Sequence, residues 1–177
     1  MSLTRNFLRI VFSSVALWST VAAHADVTDT PTVRQFSVPG TQWKVAIPKD
    51  NWVIAKEQRR PGDTTVYYVL ENEKQGQYFS VFIDKTNNCQ NGPTCLTAAL
   101  KNPAYKNAKD ARQFEVGPFT VTQFFIDEFS GYQVKQTNLL AEAYLDGYWI
   151  DIHISAVGKE RPAPEPLIEL LKSVTIN

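Results

Sequence analysis

The stretch TNLLAEAYLDGYWIDIHISAV, residues 137–157, decides the fold because it holds two β-strand patterns on either side of Asp146-Gly147. Asp-Gly between alternating apolar residues is the strongest short signal for a β-hairpin, and a two-residue turn fixes which residues lie opposite each other. From the turn outward, the predicted cross-strand pairs include Leu145–Tyr148, Tyr144–Trp149, Glu142–Asp151 and Leu140–His153.

This register divides the hairpin into an apolar face and a polar face. The apolar face collects Leu139, Ala141, Ala143, Leu145, Tyr148, Ile150, Ile152 and Ile154. The polar face collects Asn138, Leu140, Glu142, Tyr144, Trp149, Asp151, His153 and Ser155. Small residues opposite large ones on the apolar face favour close packing, so we expect this face to point into the core.

Other parts of the chain predict further strands and two helices. Strand patterns separated by Gly, Pro and Asn signals occur at residues 34–38, 42–47, 64–71, 77–84, 111–116 and 119–127. Thr94 is a candidate cap for a helix through about Lys101, and apolar residues at helical spacing predict an amphipathic helix from Pro164 to Val174. We therefore expect an α+β fold, an antiparallel sheet of about six to eight strands flanked by two or more helices, including the amphipathic C-terminal helix.

The N-terminus is typical of a secretory signal peptide. Arg5 and Arg9 precede an apolar run that is too short to span a bilayer, and Ala23-His24-Ala25 offers a small-x-small cleavage site. We expect cleavage after Ala25, a flexible segment at residues 26–33 and a single α+β domain at 34–177. The mature chain would be periplasmic or secreted and would contain no integral membrane segment.

The charge balance bears on the classes of partner. The chain has 18 basic and 18 acidic residues, and the predicted signal peptide contains two arginines and no acid. The mature chain then has 16 basic against 18 acidic residues, a net charge of −2. Because nucleic acids and anionic membranes favour clustered Lys and Arg, we expect neither as the main partner.

The two cysteines, Cys89 and Cys95, flank the turn signal Gly92-Pro93. Paired cysteines persist as disulfides in an oxidising compartment, so an exported chain should contain this bond. A catalytic redox pair favours Cys-x-x-Cys spacing, and zinc would need more ligands than His153 alone can add in the mature chain. The sequence predicts a structural disulfide, with no metal and no cofactor.

The polar face of the hairpin contains the residues that most resemble a site. Glu142 opposite Asp151 places like charges in direct cross-strand contact, which raises a carboxyl pKa unless a cation offsets the charge. The favoured interpretation is a solvated pair balanced by a basic residue such as Lys135. The candidate binding face consists of Tyr144, Trp149, Glu142, Asp151 and His153, and its two aromatic residues would either lie under the last helix or be exposed to a partner.

Asp151, His153 and Ser155 have the residue types of a hydrolase triad. Residues two apart on a strand lie about 6.5 Å apart with parallel side chains, whereas a triad needs two successive hydrogen bonds and an oxyanion hole. The sequence also lacks the Gly-x-Ser-x-Gly turn that usually presents a serine nucleophile. We therefore assign no catalytic residue.

Four segments together resemble the PsbP-like and DcrB-like group of domains. They are WKVAIPKDNW (43–52), YYVLEN (67–72), QYFSVFID (77–84) and LIELLKSVTI (167–176). The resemblance covers about Phe36 to Ile176 and implies an antiparallel sheet between helices. It also implies a mostly non-enzymatic role, as in photosystem accessory subunits, envelope proteins and secretion-associated chaperones. The cysteine pair and the missing lipid-accepting cysteine depart from many envelope members.

Two hypotheses about function follow from these observations. The first is an exported, non-catalytic binding or accessory protein of the bacterial envelope that acts through protein–protein contacts on one sheet face or at its loops. The alternative is a small hydrolase or metal-binding enzyme centred on Glu142, Asp151 and His153. A purely structural envelope component remains a third possibility and would need no dedicated surface patch.

Overall fold

The structure is a computed structural model that describes residues 27–38, 40–42, 44–59, 65–129 and 131–177. The predicted signal peptide at residues 1–25 lies outside these ranges. The strands are β1 (Val27–Asp29), β2 (Val33–Ser37), β3 (Lys44–Pro48), β4 (Val53–Arg59), β5 (Val66–Asn72), β6 (Gln77–Lys85), β7 (Lys109–Val116), β8 (Phe119–Phe129), β9 (Tyr132–Leu145), β10 (Tyr148–Val157) and β11 (Thr175–Ile176). The α-helices are α1 (Gly92–Ala99) and α2 (Glu165–Lys172), and short 3₁₀ turns cover Glu73–Gln75 and Pro103–Tyr105.

The described strands form two antiparallel sheets. The large sheet has seven strands in the order β4-β5-β6-β10-β9-β8-β7, and the small sheet has four in the order β1-β2-β3-β11. The predicted α+β class with antiparallel strands and a C-terminal helix is confirmed. The second sheet was not predicted, because its outer strands β1 and β11 are only three and two residues long and carry too short a pattern to recognise.

The segment predicted to be flexible, residues 26–33, instead contains strand β1. Val27 to Asp29 pair with β2, and the Arg34 guanidinium donates two hydrogen bonds, of 2.8 and 2.9 Å, to the Asp29 carboxylate. Asp29 also lies 3.3 Å from the Lys49 ammonium. These cations hold the pKa of Asp29 near 2, well below its usual range. Non-local ion pairs therefore order a stretch that shows no periodicity in the sequence.

The predicted register of the β9–β10 hairpin is confirmed at every pair, from Leu145 opposite Tyr148 to Leu140 opposite His153. Asp146 and Gly147 both have positive φ, at 51° and 85°, as a type I′ hairpin turn requires. The register places the apolar and polar side chains of the two strands on opposite faces of the large sheet.

The apolar face of the large sheet packs against the small sheet and α2 in one continuous core. Phe36 of the small sheet meets Tyr68 of the large sheet with ring centroids 4.8 Å apart. Leu167 and Leu171 of α2 join the same core, together with Ile150 and the other apolar-face residues of β9 and β10. The predicted amphipathic helix is confirmed, and its apolar side lies on the apolar face.

The opposite, polar face carries a second, smaller core beneath α1. Leu96 and Ala99 of the helix pack with Phe124, Ile126 and Leu140 of strands β8 and β9. The helix predicted in this region is therefore present, and its apolar side faces the sheet. The helix covers only part of the face, because it is eight residues long and lies over β8 and β9.

Two local features fix α1 in place. The helix begins at Gly92 with Asn91 as its cap: the Asn91 side chain accepts from the Thr94 N–H at 3.0 Å, and the Thr94 hydroxyl accepts from the Asn91 N–H at 3.2 Å. The prediction that Thr94 caps the helix is therefore wrong, because Asn91 is the cap and Thr94 is the third helical residue of the capping box. The predicted disulfide between Cys89 and Cys95 is confirmed and joins the first turn of α1 to the preceding loop.

Candidate functional site

The structure places the five residues of the candidate binding face on neighbouring strands at different depths. Glu142 is buried completely, whereas Tyr144, Trp149, Asp151 and His153 are half-buried. α1 approaches the backbone of this face closely: a Cβ added to Gly92 would lie 2.5 Å from Thr120 Oγ1 and 3.1 Å from the carbonyl oxygen of Glu142. Only glycine permits this approach, so the start of α1 seals the face beside Glu142.

Trp149 points its polar atom inward and not toward a partner. Its indole N–H donates to the Oε2 atom of Glu142, and its ring packs edge-on against Phe82 with centroids 5.7 Å apart. The other carboxyl oxygen of Glu142, Oε1, is buried and has no hydrogen-bond partner among the described residues. The last helix does not cover Tyr144 and Trp149, since α2 lies on the opposite face.

Of the Glu142–Asp151 pair, Glu142 is buried and Asp151 is half-buried, and no described cation lies between them. Burial raises the pKa of Glu142, and the neighbouring Asp151 charge raises it further; burial likewise raises the pKa of Asp151. Lys135 does not balance the pair, because its ammonium lies 3.5 Å from Asp127 Oδ1. Among the described residues, neither carboxyl forms an ion pair. The interpretation of a solvated, Lys-balanced pair is therefore wrong.

His153 is a neutral sheet residue in this environment. Burial lowers its pKa to about 4, and its Nε2 atom lies 3.0 Å from Asn138 Oδ1, within hydrogen-bond distance. The Tyr105 ring meets the imidazole edge-on, with centroids 5.9 Å apart. No described hydrogen bond joins His153 to Asp151 or Ser155, so the three side chains do not form a proton relay.

An open cavity of about 340 Å³ lies over Asp151 and His153, and we call it the acid pocket. Its walls are Tyr67, Ser80, Phe82, Asn102, Tyr105, Asp151 and His153. Burial and the nearby Asp151 charge raise the pKa of both tyrosine hydroxyls, so they remain neutral donors. Within the described ranges, no group of three or more His, Cys, Asp or Glu side chains is placed to hold a metal ion.

A second cavity, of about 480 Å³, lies on the other side of Tyr105, and we call it the end groove. Its apolar walls include Tyr78, Tyr105, Ile126, Phe129, Val134 and Val157. Gln136, Asn138 and His153 supply polar groups, and the Asn138 Nδ2 atom is buried without a hydrogen-bond partner among the described residues. Tyr105 and His153 line both cavities and lie between them.

Sequence reasoning found Asp151 and His153 but missed the other walls of the acid pocket. Ser80 belongs to β6, which pairs with β10, and Tyr67 belongs to β5 on the far side of β6; Asn102 and Tyr105 come from the loop after α1. Asn102 caps the 3₁₀ turn by accepting from the Ala104 N–H at 3.0 Å. The sequence signal that could have located this turn is Asn102-Pro103, which favours turn initiation.

Comparison with known proteins shows similarity in fold but not in sequence. No protein-family model and no curated protein matches the chain. A crystal structure at 1.50 Å of a protein from Bacteroides thetaiotaomicron VPI-5482 is 12% identical with a TM-score of 0.48; the match covers 81% of this chain and 48% of the other. This chain thus spans about half the length of that protein.

The solution structure of cyanobacterial PsbP (CyanoP) from Synechocystis sp. PCC 6803 is 11% identical with a TM-score of 0.52. The match covers 84% of this chain and 95% of the cyanobacterial protein. The chain therefore has a PsbP-like fold, in agreement with the similarity noted in its sequence pattern.

Neither α1, α2 nor any other helical segment in the described ranges has the length and apolarity of a membrane span.

Proposed function

We propose that this chain is an exported, non-catalytic binding or accessory protein of the bacterial envelope that acts through protein–protein contacts. The observation that carries the proposal is the end groove, where apolar side chains from separate strands are exposed together. Tyr78, Phe129 and Val157 are exposed by 44%, 51% and 39% of their surface, and all three line the groove. Clustered apolar exposure of this kind is typical of interaction surfaces.

The strand register explains why these residues meet. Tyr78 lies opposite Ser155 near the end of β10, and Val157 lies two residues further along that strand. Phe129 lies opposite Tyr132 at the adjoining end of the β8–β9 hairpin, and Tyr132 is 75% exposed. The partner chemistry that suits this patch is a segment with aromatic or aliphatic side chains, which can also bond the buried amide of Asn138.

Export is supported by two observations. The Cys89–Cys95 disulfide is typical of proteins in oxidising compartments, and the N-terminal sequence has the regions of a cleavable signal. Mass spectrometry of the protein recovered from a periplasmic extract should give a mature chain that starts at Asp26 and contains the disulfide. A full-length chain in the cytoplasm with two free thiols would contradict export.

The rival class, a hydrolase or metal-binding enzyme centred on Glu142, Asp151 and His153, has less support. His153 bonds Asn138 and not a nucleophile or an acid, and the described carboxylates are too few in one place to hold a metal. A PsbP-like fold fits an accessory protein, although fold alone does not establish function.

Site-specific photo-crosslinking in exporting cells tests the partner proposal. A photoreactive phenylalanine analogue at Phe129 should give a discrete crosslinked species with one partner protein. The yield should fall at least about fivefold when Tyr78→Ser removes an aromatic wall of the groove, because a buried interface aromatic contributes at least about 1 kcal/mol.

The matched control places the same analogue at Leu145, which is 37% exposed at the other end of β9. The two positions lie about 40 Å apart along the sheet, given the rise of a β-strand. Crosslinking that is equal at both positions, or absent at Phe129 in a folded and exported protein, would contradict the proposal and favour a purely structural component.

A further inference from the structure

We propose that the acid pocket binds a small organic cation, an alkylated ammonium compound, between the Asp151 carboxylate and the aromatic walls formed by Tyr67, Phe82 and Tyr105. This cavity is distinct from the end groove proposed above as the partner-binding surface, although Tyr105 and His153 line both. It is carried by the composition of the cavity walls and by the order of residues across the sheet.

Two aromatic residues and two acids form one continuous row across four strands. Glu142 lies opposite Asp151, Asp151 lies opposite Phe82, and Phe82 lies opposite Tyr67. Neighbouring strands are about 4.8 Å apart, so a cation beside Asp151 lies one strand spacing from Phe82 and two from Tyr67. The spacing to Phe82 is within the roughly 6 Å over which an aromatic ring attracts a cation, whereas Tyr67 lies farther away and forms the far wall of the cavity.

The two carboxyls of this row, Glu142 and Asp151, have no described cation beside them to balance their charge. Glu142 is buried and the neighbouring Asp151 is half-buried, Glu142 Oε1 is without a hydrogen-bond partner, and no described Lys or Arg pairs with either acid. A bound cation at Asp151 would offset the repulsion between them. Buried carboxylates without such compensation destabilise a fold, so a ligand that supplies the charge gains binding energy from the relief.

The aromatic walls distinguish an organic cation from a metal ion. A metal ion needs several oxygen, nitrogen or sulfur ligands, and the described residues offer no group of three such acids or histidines. Ring faces instead favour ammonium groups with apolar substituents. One ring already attracts an ammonium in this structure, because the Lys56 Nζ atom lies 5.5 Å from the centroid of Tyr67.

The size of the acid pocket also suits such a ligand. About 340 Å³ lies at the lower end of the range for small-molecule sites, and the cavity is open to solvent over Asp151. Ser80, Asn102 and Tyr105 also line the cavity and have side chains that can form hydrogen bonds. A compact ammonium compound with one hydroxyl or carbonyl group, such as choline, combines the required charge, apolar surface and polar end.

The test is calorimetric titration of the mature protein with choline. The comparison ligand is its neutral carbon analogue, in which a tert-butyl group replaces the trimethylammonium group, and potassium chloride controls for ionic strength. We expect saturable binding of choline, at least about tenfold tighter than the neutral analogue. Equal binding of both ligands, or no saturable binding of choline to the folded protein, would overturn the proposal.

Three variants locate the site. Asp151→Asn should weaken choline binding at least about tenfold, and Phe82→Leu about three- to fivefold, through loss of one cation–ring contact. Asp146→Asn removes the same charge at the hairpin turn, where Asn also tolerates positive φ, and should leave choline affinity unchanged. An equal loss in Asp146→Asn and Asp151→Asn would show only general electrostatic attraction, and would overturn the assignment to the acid pocket.

Discussion

The two faces of the seven-stranded sheet are built from the same strands but differ in what covers them. The apolar face is sealed by the small sheet and by α2, and its residues form one core. The polar face is covered only in part, by α1 and the turn that ends at Tyr105, and two open cavities lie beside that turn. One face is therefore closed by packing, whereas the other keeps side chains open to solvent, and the binding proposals rest on this second face.

The largest expected effect contrasts two phenylalanines of β6 that point to opposite faces. Phe79 is fully buried in the apolar core, and Phe82 is half-buried in the wall of the acid pocket. Phe79→Ala should lower the free energy of unfolding by about 3–5 kcal/mol because it creates a core cavity. Phe82→Ala should lower it by about 1–2 kcal/mol, since solvent already reaches that ring. Denaturant titration of both variants measures the difference, and equal losses would remove the distinction between the faces.

The disulfide gives the next largest effect, and it should act on the polar face. Replacing Cys89 and Cys95 by Ser should lower the free energy of unfolding by about 2 kcal/mol, the chain-entropy value for so short a loop. Amide hydrogen exchange should accelerate most in α1, which the disulfide anchors. Uniform acceleration that includes Ile150 and Ile152 of the apolar face would contradict a local role for the disulfide.

Glu142→Gln should stabilise the protein, by about 1–2 kcal/mol at pH 8, because it replaces a carboxyl whose ionisation is disfavoured by burial with a neutral amide that keeps an acceptor for Trp149. Burial holds the pKa of Glu142 above its unfolded value of 4.5, so the folded state binds more protons and wild-type stability falls as pH rises from 4.5 toward 9. The variant should therefore match wild type near pH 4 and exceed it increasingly above that pH. Thermal unfolding across this range measures the trend; a variant that is less stable at pH 8 would contradict it.

The smallest expected effect concerns Asp127, whose pKa is lowered in the folded protein, whereas the pKa of Glu142 is raised. Arg161 and Lys109 bond Asp127 at 3.0 and 3.2 Å and hold its pKa near 2, below the unfolded value of 3.8. Its contribution to stability is present above pH 3.8 and is lost as pH falls toward 2. Asp127→Asn should slightly lower the melting temperature at neutral pH and have no effect near pH 2. A rise in melting temperature at neutral pH would show that Asp127 behaves like the buried pair.

The sequence predicts which residues lie on each face of the β9–β10 hairpin, but it does not predict what covers each face. A period-two pattern and an Asp-Gly turn act over a few residues, so they fixed the β9–β10 register and both of its faces, including Glu142 opposite Asp151. The cysteine spacing likewise predicted a loop disulfide. These features depend on interactions between residues that are close together in the chain, and sequence patterns predict such local interactions well.

The cover of the polar face depends on contacts between distant residues. No local pattern indicates that Gly92 lies against Glu142, that Tyr105 meets His153, or that Trp149 donates inward to a carboxylate. The burial of Glu142 follows from these contacts, which is why a solvated pair was the natural expectation. The acid pocket could not be predicted for the same reason, because its walls come from four separate segments of the chain.

The most direct test of the account is an NMR titration of the Glu142 and Asp151 side-chain carboxyl carbons, with and without choline. The account predicts that both carboxyls titrate above their ordinary range in the free protein, and that choline lowers their apparent pKa values because a bound cation favours the ionised form. Ordinary titration of both carboxyls, unchanged by choline, would contradict the central claim that the polar face contains a coupled acidic pair that a cation reaches at Asp151.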